Sequence, residues 1–330
     1  MGKKIRWGIL GTATIAMQEV IPALVKSRFG QVLAIASRDG EKAQRAAAQF
    51  GIKKHYGSYQ TLLDDREVDA VYIPLPNHLH VKWAVSALRA GKHVLVEKPI
   101  ALNAQEARSL KEEADKHPHL KVMEAFMYRF HPRWQKVRQL IEEGAIGDLK
   151  MVQSSFSFFD DDHRSIVYNR KFGGGSLMDV GCYPVSVARF LFGAEPVKIE
   201  ADLDNHPEHK VDITAAGIME FEKGRSIFFS SIQLFENQEA KCFGTQGIIE
   251  LELPFNPHED ASSKIVVIKE NGREEILIEP CNQYLCQVDA FSRAILQQTP
   301  LPVDLSDSIL NMQALDAIKE SDRLGKAVRL

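Results

Sequence analysis

Residues 93–102, HVLVEKPIAL, end an apolar run with Glu97, Lys98 and Pro99. An ammonium at the tip of a buried strand is either the solvated end of a β-element or a group placed for chemistry. A second set lies in SLMDVGCYPVSVARFL, where Asp179 and Tyr183 are four residues apart and share a face if the stretch is helical. A phenol with an ordinary pKa of about 10 is a poor base at neutral pH, but an adjacent ammonium stabilises the phenolate and lowers that value. Lys98 can be that neighbour, with Asp179 orienting a hydroxyl or the lysine while Tyr183 moves a proton. The plain alternatives are a surface coincidence for the Asp–Tyr pair and a solvated lysine.

The surrounding chain must bring such groups to one edge. Up to about residue 125, apolar runs at 5–10, 32–37, 70–75, 93–98 and 121–126 alternate with amphipathic stretches at 15–26, 41–50, 78–90 and 104–117, and Gly51 and Gly91 are placed to end helices. The alternation predicts parallel strands joined by right-handed crossovers, an α/β doubly wound sheet whose ligands lie beyond the carboxyl ends of the strands. Lys98 is at such an end. After about residue 145 short strands follow one another, with Glu222-Lys223-Gly224 and Glu270-Asn271-Gly272 as hairpin signals. Helices are expected at 176–192, 283–297 and 305–324. This predicts a dinucleotide-binding domain over 1–125 and an α+β domain over 126–330, built on a large, mostly antiparallel open sheet, with the C-terminal helix free to pack back on the first domain.

Directly after the first strand comes GILGTATIA. From Gly11 it reads G-x-A-x-x-A, a variant of the dinucleotide fingerprint with Ala13 in place of the second glycine. Gly11 permits the tight turn, Ala13 is small enough for backbone to approach a pyrophosphate, and Ala16 lets the helix pack on the sheet. Thr12, Thr14 and Ile15 complete a loop and helix start whose N–H groups suit phosphate. The second strand ends in Ser37 and Arg38, with Lys42 a turn further on, where an NAD site usually carries an acid for the ribose 2′-hydroxyl. A guanidinium suits a 2′-phosphate, so NADP is expected ahead of NAD. The alternative is a solvated Arg38, with Asp39 on the ribose.

The 330 residues carry a formal charge of −3, with 45% hydrophobic and 26% charged content and no long basic run. Neither nucleic acid nor an anionic membrane surface is indicated, and small molecules are the expected partners. Cys182, Cys242, Cys281 and Cys286 contain no C-x-x-C pair and no histidine at finger spacing, so neither a disulfide framework nor a metal site is expected. The opening MGKKIRWGILGTATIAM has basic residues before an apolar stretch, as a signal peptide does. Two glycines interrupt it, and the following domain needs it as its first strand, so a cytoplasmic protein is expected. No apolar stretch reaches the roughly 20 residues of a membrane span.

IPLPNHLH (73–80), VEKPIALN (96–103), EAFMYRFHP (124–132) and GGGSLMDVGCYPV (173–185) together resemble the Gfo/Idh/MocA oxidoreductases, the group of glucose-fructose oxidoreductase and inositol dehydrogenases. Tyr183, where many relatives have histidine, is most similar to the branch of dimeric dihydrodiol dehydrogenase and NADP-dependent D-xylose dehydrogenase. The resemblance implies an NAD(P)-dependent enzyme moving hydride between a nicotinamide and a secondary hydroxyl or carbonyl of a sugar, polyol or cyclic diol. It implies Lys98, Asp179 and Tyr183 as catalytic residues. For the cofactor it implies Leu75, Pro76, Asn77 and His80 beside the nicotinamide ribose, Glu97 and Lys98 of E-K-P, and Met127 and Arg129 where the chain crosses between domains. It implies a homodimer or homotetramer through the second-domain sheet. Two alternatives are a trans-dihydrodiol dehydrogenase and a non-catalytic NADP-sensing regulator, which has no need of Lys98 and Tyr183 together.

Phe156, Phe158 and Phe159 with Asp160 to Asp162 could wall a substrate pocket, Phe158 being the one expected to meet substrate, or could be core beside an acidic turn. Gly173, Gly174 and Gly175 would let backbone pass close to substrate or cofactor. His78 and His93 read as structural, and RFHP allows His131 to start a helix at Pro132.

Overall fold

In the computed structural model, which describes residues 3–330, six strands form a parallel sheet. They are β1 (Ile5–Leu10), β2 (Gly30–Ala36), β3 (Lys54–Tyr56), β4 (Ala70–Ile73), β5 (His93–Val96) and β6 (Val122–Glu124), in the order β3-β2-β1-β4-β5-β6. Helices α1 (Ile21–Lys26), α2 (Gly40–Phe50), α3 (Tyr59–Leu63), α4 (His80–Arg89) and α5 (Ala104–Asp115) lie between the strands in sequence. The strands are apolar without alternation because the helices cover both faces: Trp7, Ile9, Val71, Tyr72, Val94 and Leu95 are all fully buried. Strand order reverses at β1, so the crevice beside it is the topological switch point.

Short side chains fix the helix starts. Asp39 accepts from the Glu41 and Lys42 amides at the head of α2, Ser58 from Thr61 at α3 and Asn103 from Glu106 at α5, and Gly51 ends α2 at φ 64°. β3 and α3 were not expected from the sequence. Three residues, LysHisTyr, are too few to show a period, and they take their strand conformation from pairing with β2.

The second unit starts with α6 (Pro132–Glu142), then β7 (Leu149–Phe159), α7 (Cys182–Phe192), β8 (Lys198–Asn205), β9 (Asp212–Phe221), β10 (Gly224–Ser231), β11 (Gln233–Gly244), β12 (Ile248–Glu252), β13 (Ser263–Lys269) and β14 (Gly272–Ile278). With the closing β15 (Val328–Arg329) these strands make a nine-stranded sheet, β14-β13-β12-β11-β7-β10-β9-β8-β15. Only β7 and β10 pair in parallel. Both hairpin signals join the strands expected: β9 to β10 and β13 to β14. On β10, Ser226, Phe228 and Ser230 face inward while Ile227 is exposed, opposite the exposed Ile218 of β9.

The chain divides into residues up to Phe130 with Asn282–Ile309, and His131–Cys281 with Leu310–Leu330. The helix α8 (Gln283–Gln297) therefore belongs to the first unit, not with the α+β domain to which the sequence reading assigned it. Its Phe291 ring lies 5.5 Å from that of Trp7, and the Trp7 indole N–H donates to Ser292 Oγ at 3.1 Å. A fully buried tryptophan on the first strand needs both an apolar cover and an acceptor, and α8 supplies both. The last helix, α9, spans Leu305–Leu324 as expected.

Candidate active site

The first unit gathers its candidate residues at the carboxyl edge of the parallel sheet. β1 runs into Gly11, whose φ of 125° is open to glycine at little cost and whose amide donates to Ala36 O at the end of β2. A Cβ on Gly11 would press on Leu75 Cδ2 at 3.1 Å, so the loop after β1 and the loop after β4 are already in contact. The chain then enters a helical stretch whose middle, Ala16–Val20, is a π-helical turn leading into α1. Such turns are over-represented at functional sites.

Arg38 follows β2 and lies close enough to the hydroxyl of Tyr59 on α3 to act on it; burial raises the pKa of that phenol and the guanidinium opposes the rise. The Tyr59 oxygen would lie 3.9 Å from a Cβ on Gly11, which brings Arg38 to the glycine turn. Ser37 is buried and accepts from the Asp39 amide. Asp39, the alternative ribose acid, has one carboxylate oxygen on the Glu41 and Lys42 amides at 3.0 and 3.2 Å. Lys42 is exposed on the first turn of α2.

Glu97 and Lys98 leave β5 beside the end of β4, with the Glu97 amide donating to Ile73 O. Tyr72 donates its hydroxyl proton to Glu97 Oε1 at 2.6 Å, and the Lys98 amide donates to Glu97 Oε2. The Lys98–Pro99 peptide is cis. Beyond it, the Ile100 amide donates to Glu124 Oε1 at the end of β6, tying the strand ends together. The His80 ring is fully buried, with Nδ1 2.8 Å from Pro99 O and Nε2 2.6 Å from Leu75 O. Burial drives its pKa down to about 4, against those two carbonyls, so His80 is a strut between two loops with no surface left for a ligand. Pro76 and Asn77 are partly exposed ahead of it, Asn77 opening the 3-10 turn Asn77–Leu79. Met127 and Arg129 lie on the 3-10 turn Met127–Phe130, and Arg129 pairs with Asp307 at 3.3 Å.

In the second unit, Asp179 lies on the π-helical turn Leu177–Gly181 and Tyr183 on the first turn of α7 that continues it. Burial of Asp212 makes the turn's foundation: its carboxylate accepts from the Leu177 amide at 2.6 Å and Ser176 Oγ at 3.0 Å. The missing hydration still pushes its pKa up to about 6. The Tyr183 ring packs 5.6 Å from Phe156 and 5.1 Å from Phe255, which stack on each other at 5.4 Å. Phe255 is held from behind. Arg133 donates to the carbonyls of Glu252, Leu253 and Pro254, and the Trp134 indole also donates to Pro254 O.

Two expectations change here. Phe158 packs against Val167, Tyr168, Val211 and Ile232, so the phenylalanine of β7 beside Tyr183 is Phe156, and Phe159 is 65% exposed. Gly174 and Gly175 are needed by the protein itself: a Cβ would strike Val167 O in one case and the Asp212 carboxylate in the other. His131 caps α6 through Nδ1, and His93 accepts the Lys121 amide, as structural readings require.

No motif in the sequence marks Tyr59, Tyr72, Glu124, Asp212 or Phe255. Each acts through a neighbour remote in sequence. Only Glu124, a carboxylate inside an apolar run, carried a local sign of a special role.

Residues 5–126 match the oxidoreductase family with an NAD-binding Rossmann fold, GFO_IDH_MocA, and residues 134–250 match the GFO/IDH/MocA C-terminal domain. The oxidoreductase ORF334 of Rhizobium meliloti is 41% identical over 329 residues, covering 97% of this chain and 98% of its own. The NADP-dependent D-xylose 1-dehydrogenase 2 of Haloferax volcanii is 37% identical over 326 residues, 98% of this chain and 99% of its own. The structure of KijD10, a 3-ketoreductase from Actinomadura kijaniata in complex with NADP and TDP-benzene, superimposes with a TM-score of 0.91 at 30% identity, covering 97% of this chain and 98% of that one. With family models matched over residues 5–126 and 134–250, and a relative 37% identical over 98% of its length, this chain belongs to the Gfo/Idh/MocA family of oxidoreductases.

Proposed function

We propose that the protein is an NADP-dependent dehydrogenase or reductase acting on a CH–OH group of a sugar, polyol or cyclic diol. The observation that carries this is the convergence of Gly11, Arg38, Leu75 and Lys98 on one edge of the parallel sheet. The NADP of both relatives and the D-xylose of one support the same reading.

The residues fit the dinucleotide. Gly11, Thr12, Ala13, Thr14 and Ile15 would hold the pyrophosphate, since backbone can come close only where no side chain stands. Ser37, Arg38 and Lys42 would hold the ribose phosphate, because the Asp39 carboxylate is engaged in capping and Arg38 stands braced by Tyr59. Leu75, Pro76, Asn77, Glu97, Met127 and Arg129 would line the nicotinamide end, with His80 setting the two loops from behind. When bound, the nicotinamide supplies the hydride acceptor or donor.

This chain's own groups handle the proton. Tyr183 exchanges it with the substrate hydroxyl, Lys98 favours the phenolate and Asp179 orients the hydroxyl. Phe156 and Phe255 exclude water from the buried Tyr183 ring. The exposed Ile218 and Ile227 on the outer face of the large sheet favour a homodimer or homotetramer through that sheet. All four cysteines are thiols, in keeping with a cytoplasmic enzyme, and no helix among the described residues is long and apolar enough to cross a membrane.

The test is NADP reduction at 340 nm against aldoses, inositols and trans-diols, with Lys98→Ala and Tyr183→Phe alongside. Loss of turnover by roughly 100-fold or more in each, with nucleotide binding retained, is the expected result. Tight NADP binding without turnover on any substrate would favour a sensor instead.

A further inference from the structure

We propose that His163, His206 and His209 form a binding site for one zinc-class divalent cation. Their nearest ring nitrogens all lie within 4.8 Å of one another. Ring centroids are 5.2 Å apart for His163 and His206, 4.9 Å for His163 and His209 and 4.7 Å for His206 and His209. Three imidazoles sharing one tetrahedral ion at a metal–nitrogen distance of about 2.0 Å place their centroids about 5 Å apart. The ring centroids therefore already stand at the spacing of a three-histidine site.

Two separate segments supply the ligands. His163 comes from loop 160–165, shaped by Asp160 Oδ1 on the Asp162 amide and Asp162 Oδ1 on the Arg164 amide. His206 and His209 come from the turn between β8 and β9, closed by the His206 amide on Val211 O. Tyr168 packs against all three rings at 4.9 to 5.7 Å, and its hydroxyl donates to Asp160 O. His206 Nδ1 now accepts the Glu208 and His209 amides at 3.2 Å each. Ligation by His206 exchanges those two long contacts for a metal bond. That cost selects ions with a strong preference for imidazole, such as Zn²⁺, Ni²⁺ or Cu²⁺, over Mg²⁺ or Ca²⁺.

Such an ion would clamp loop 160–165 to the β8–β9 turn. Asp212, the first residue of β9, carries the base of the Leu177–Gly181 turn, so the clamp adjoins the support of Asp179 and Tyr183. No metal is expected from the sequence because its cysteines form no C-x-x-C pair and have no histidine at finger spacing, and His163 and His206, 43 positions apart, make no local motif.

The test uses full-length protein without a polyhistidine tag, stripped with chelator and titrated with ZnCl₂ by calorimetry and by thermal unfolding. One equivalent should bind and raise the unfolding midpoint. His163→Ala and His209→Ala should each weaken binding at least about tenfold. Since His163 is exposed, His163→Ala should leave the metal-free midpoint unchanged. No saturable binding, or binding that survives both substitutions, would overturn the proposal.

Discussion

Arg38 and Asp212 show how single residues carry more than their type announces. Arg38 is braced by Tyr59, which spares a bound phosphate the cost of ordering the guanidinium. Arg38→Ala should weaken NADP binding by about 10- to 100-fold, the worth of a charge-assisted pair, and leave NAD nearly unaffected. Equal losses for both nucleotides in a calorimetric titration would remove Arg38 from cofactor choice. Burial shifts Asp212 in the opposite direction to a carboxylate held in an ion pair. Its folded pKa is raised to about 6 by burial, so the stability it contributes is full below about pH 4 and is lost as pH rises through 6. Asp212→Asn, which stays neutral, should lack that loss, on the order of 3 kcal/mol between pH 4 and 7. Urea denaturation of both proteins across this range checks it; parallel curves would mean that Asp212 stays solvated.

At the scale of elements, α4 is as much a fastener as a helix. His80 at its head lies between the Leu75 and Pro99 carbonyls, and a ring that is buried and neutral has one N–H, which donates to one of them. His80→Ala should cost about 2 to 3 kcal/mol and weaken NADP binding as both loops relax. A change under about 0.5 kcal/mol in equilibrium unfolding would show that the loops hold themselves.

The elements were also where the sequence was most and least legible. β1, α8 and α9 appear where periodicity and turns placed them, because a continuous apolar run or a long amphipathic stretch is its own evidence. The Lys98 edge, the Gly11 turn and the Asp179–Tyr183 spacing were readable for the same reason: each motif is local. What periodicity could not say was which surface an amphipathic face would meet. Hence α8 was assigned to the wrong unit, and Phe255, far along the chain from Tyr183, was not foreseen.

For the whole molecule, the buried histidines set the acid limit. His80, His93 and His131 all have pKa values pressed down to about 4 by burial. Unfolded, they take up protons near their ordinary pKa of about 6.5. Their contribution is therefore present above that pH and is lost as pH falls toward 4, while Asp212 works against them with a single proton. The net expectation is a fall of between one and two kcal/mol per pH unit around pH 5, discounted because His93 and His131 are less enclosed than His80. A stability that stays flat from pH 7 to 5 in chemical denaturation would contradict it.

The return of Asn282–Ile309 to the first unit also matters while the protein is being made. When residue 130 leaves the ribosome, Trp7 still lacks Phe291 and Ser292. At about 5 to 20 residues per second, their arrival takes roughly another 10 to 30 seconds, during which strands β7 to β14 of the second unit emerge. The nascent nucleotide-binding fold must pass that interval with an apolar face uncovered, and it can close only after residues 131–281 of its neighbour have been synthesised.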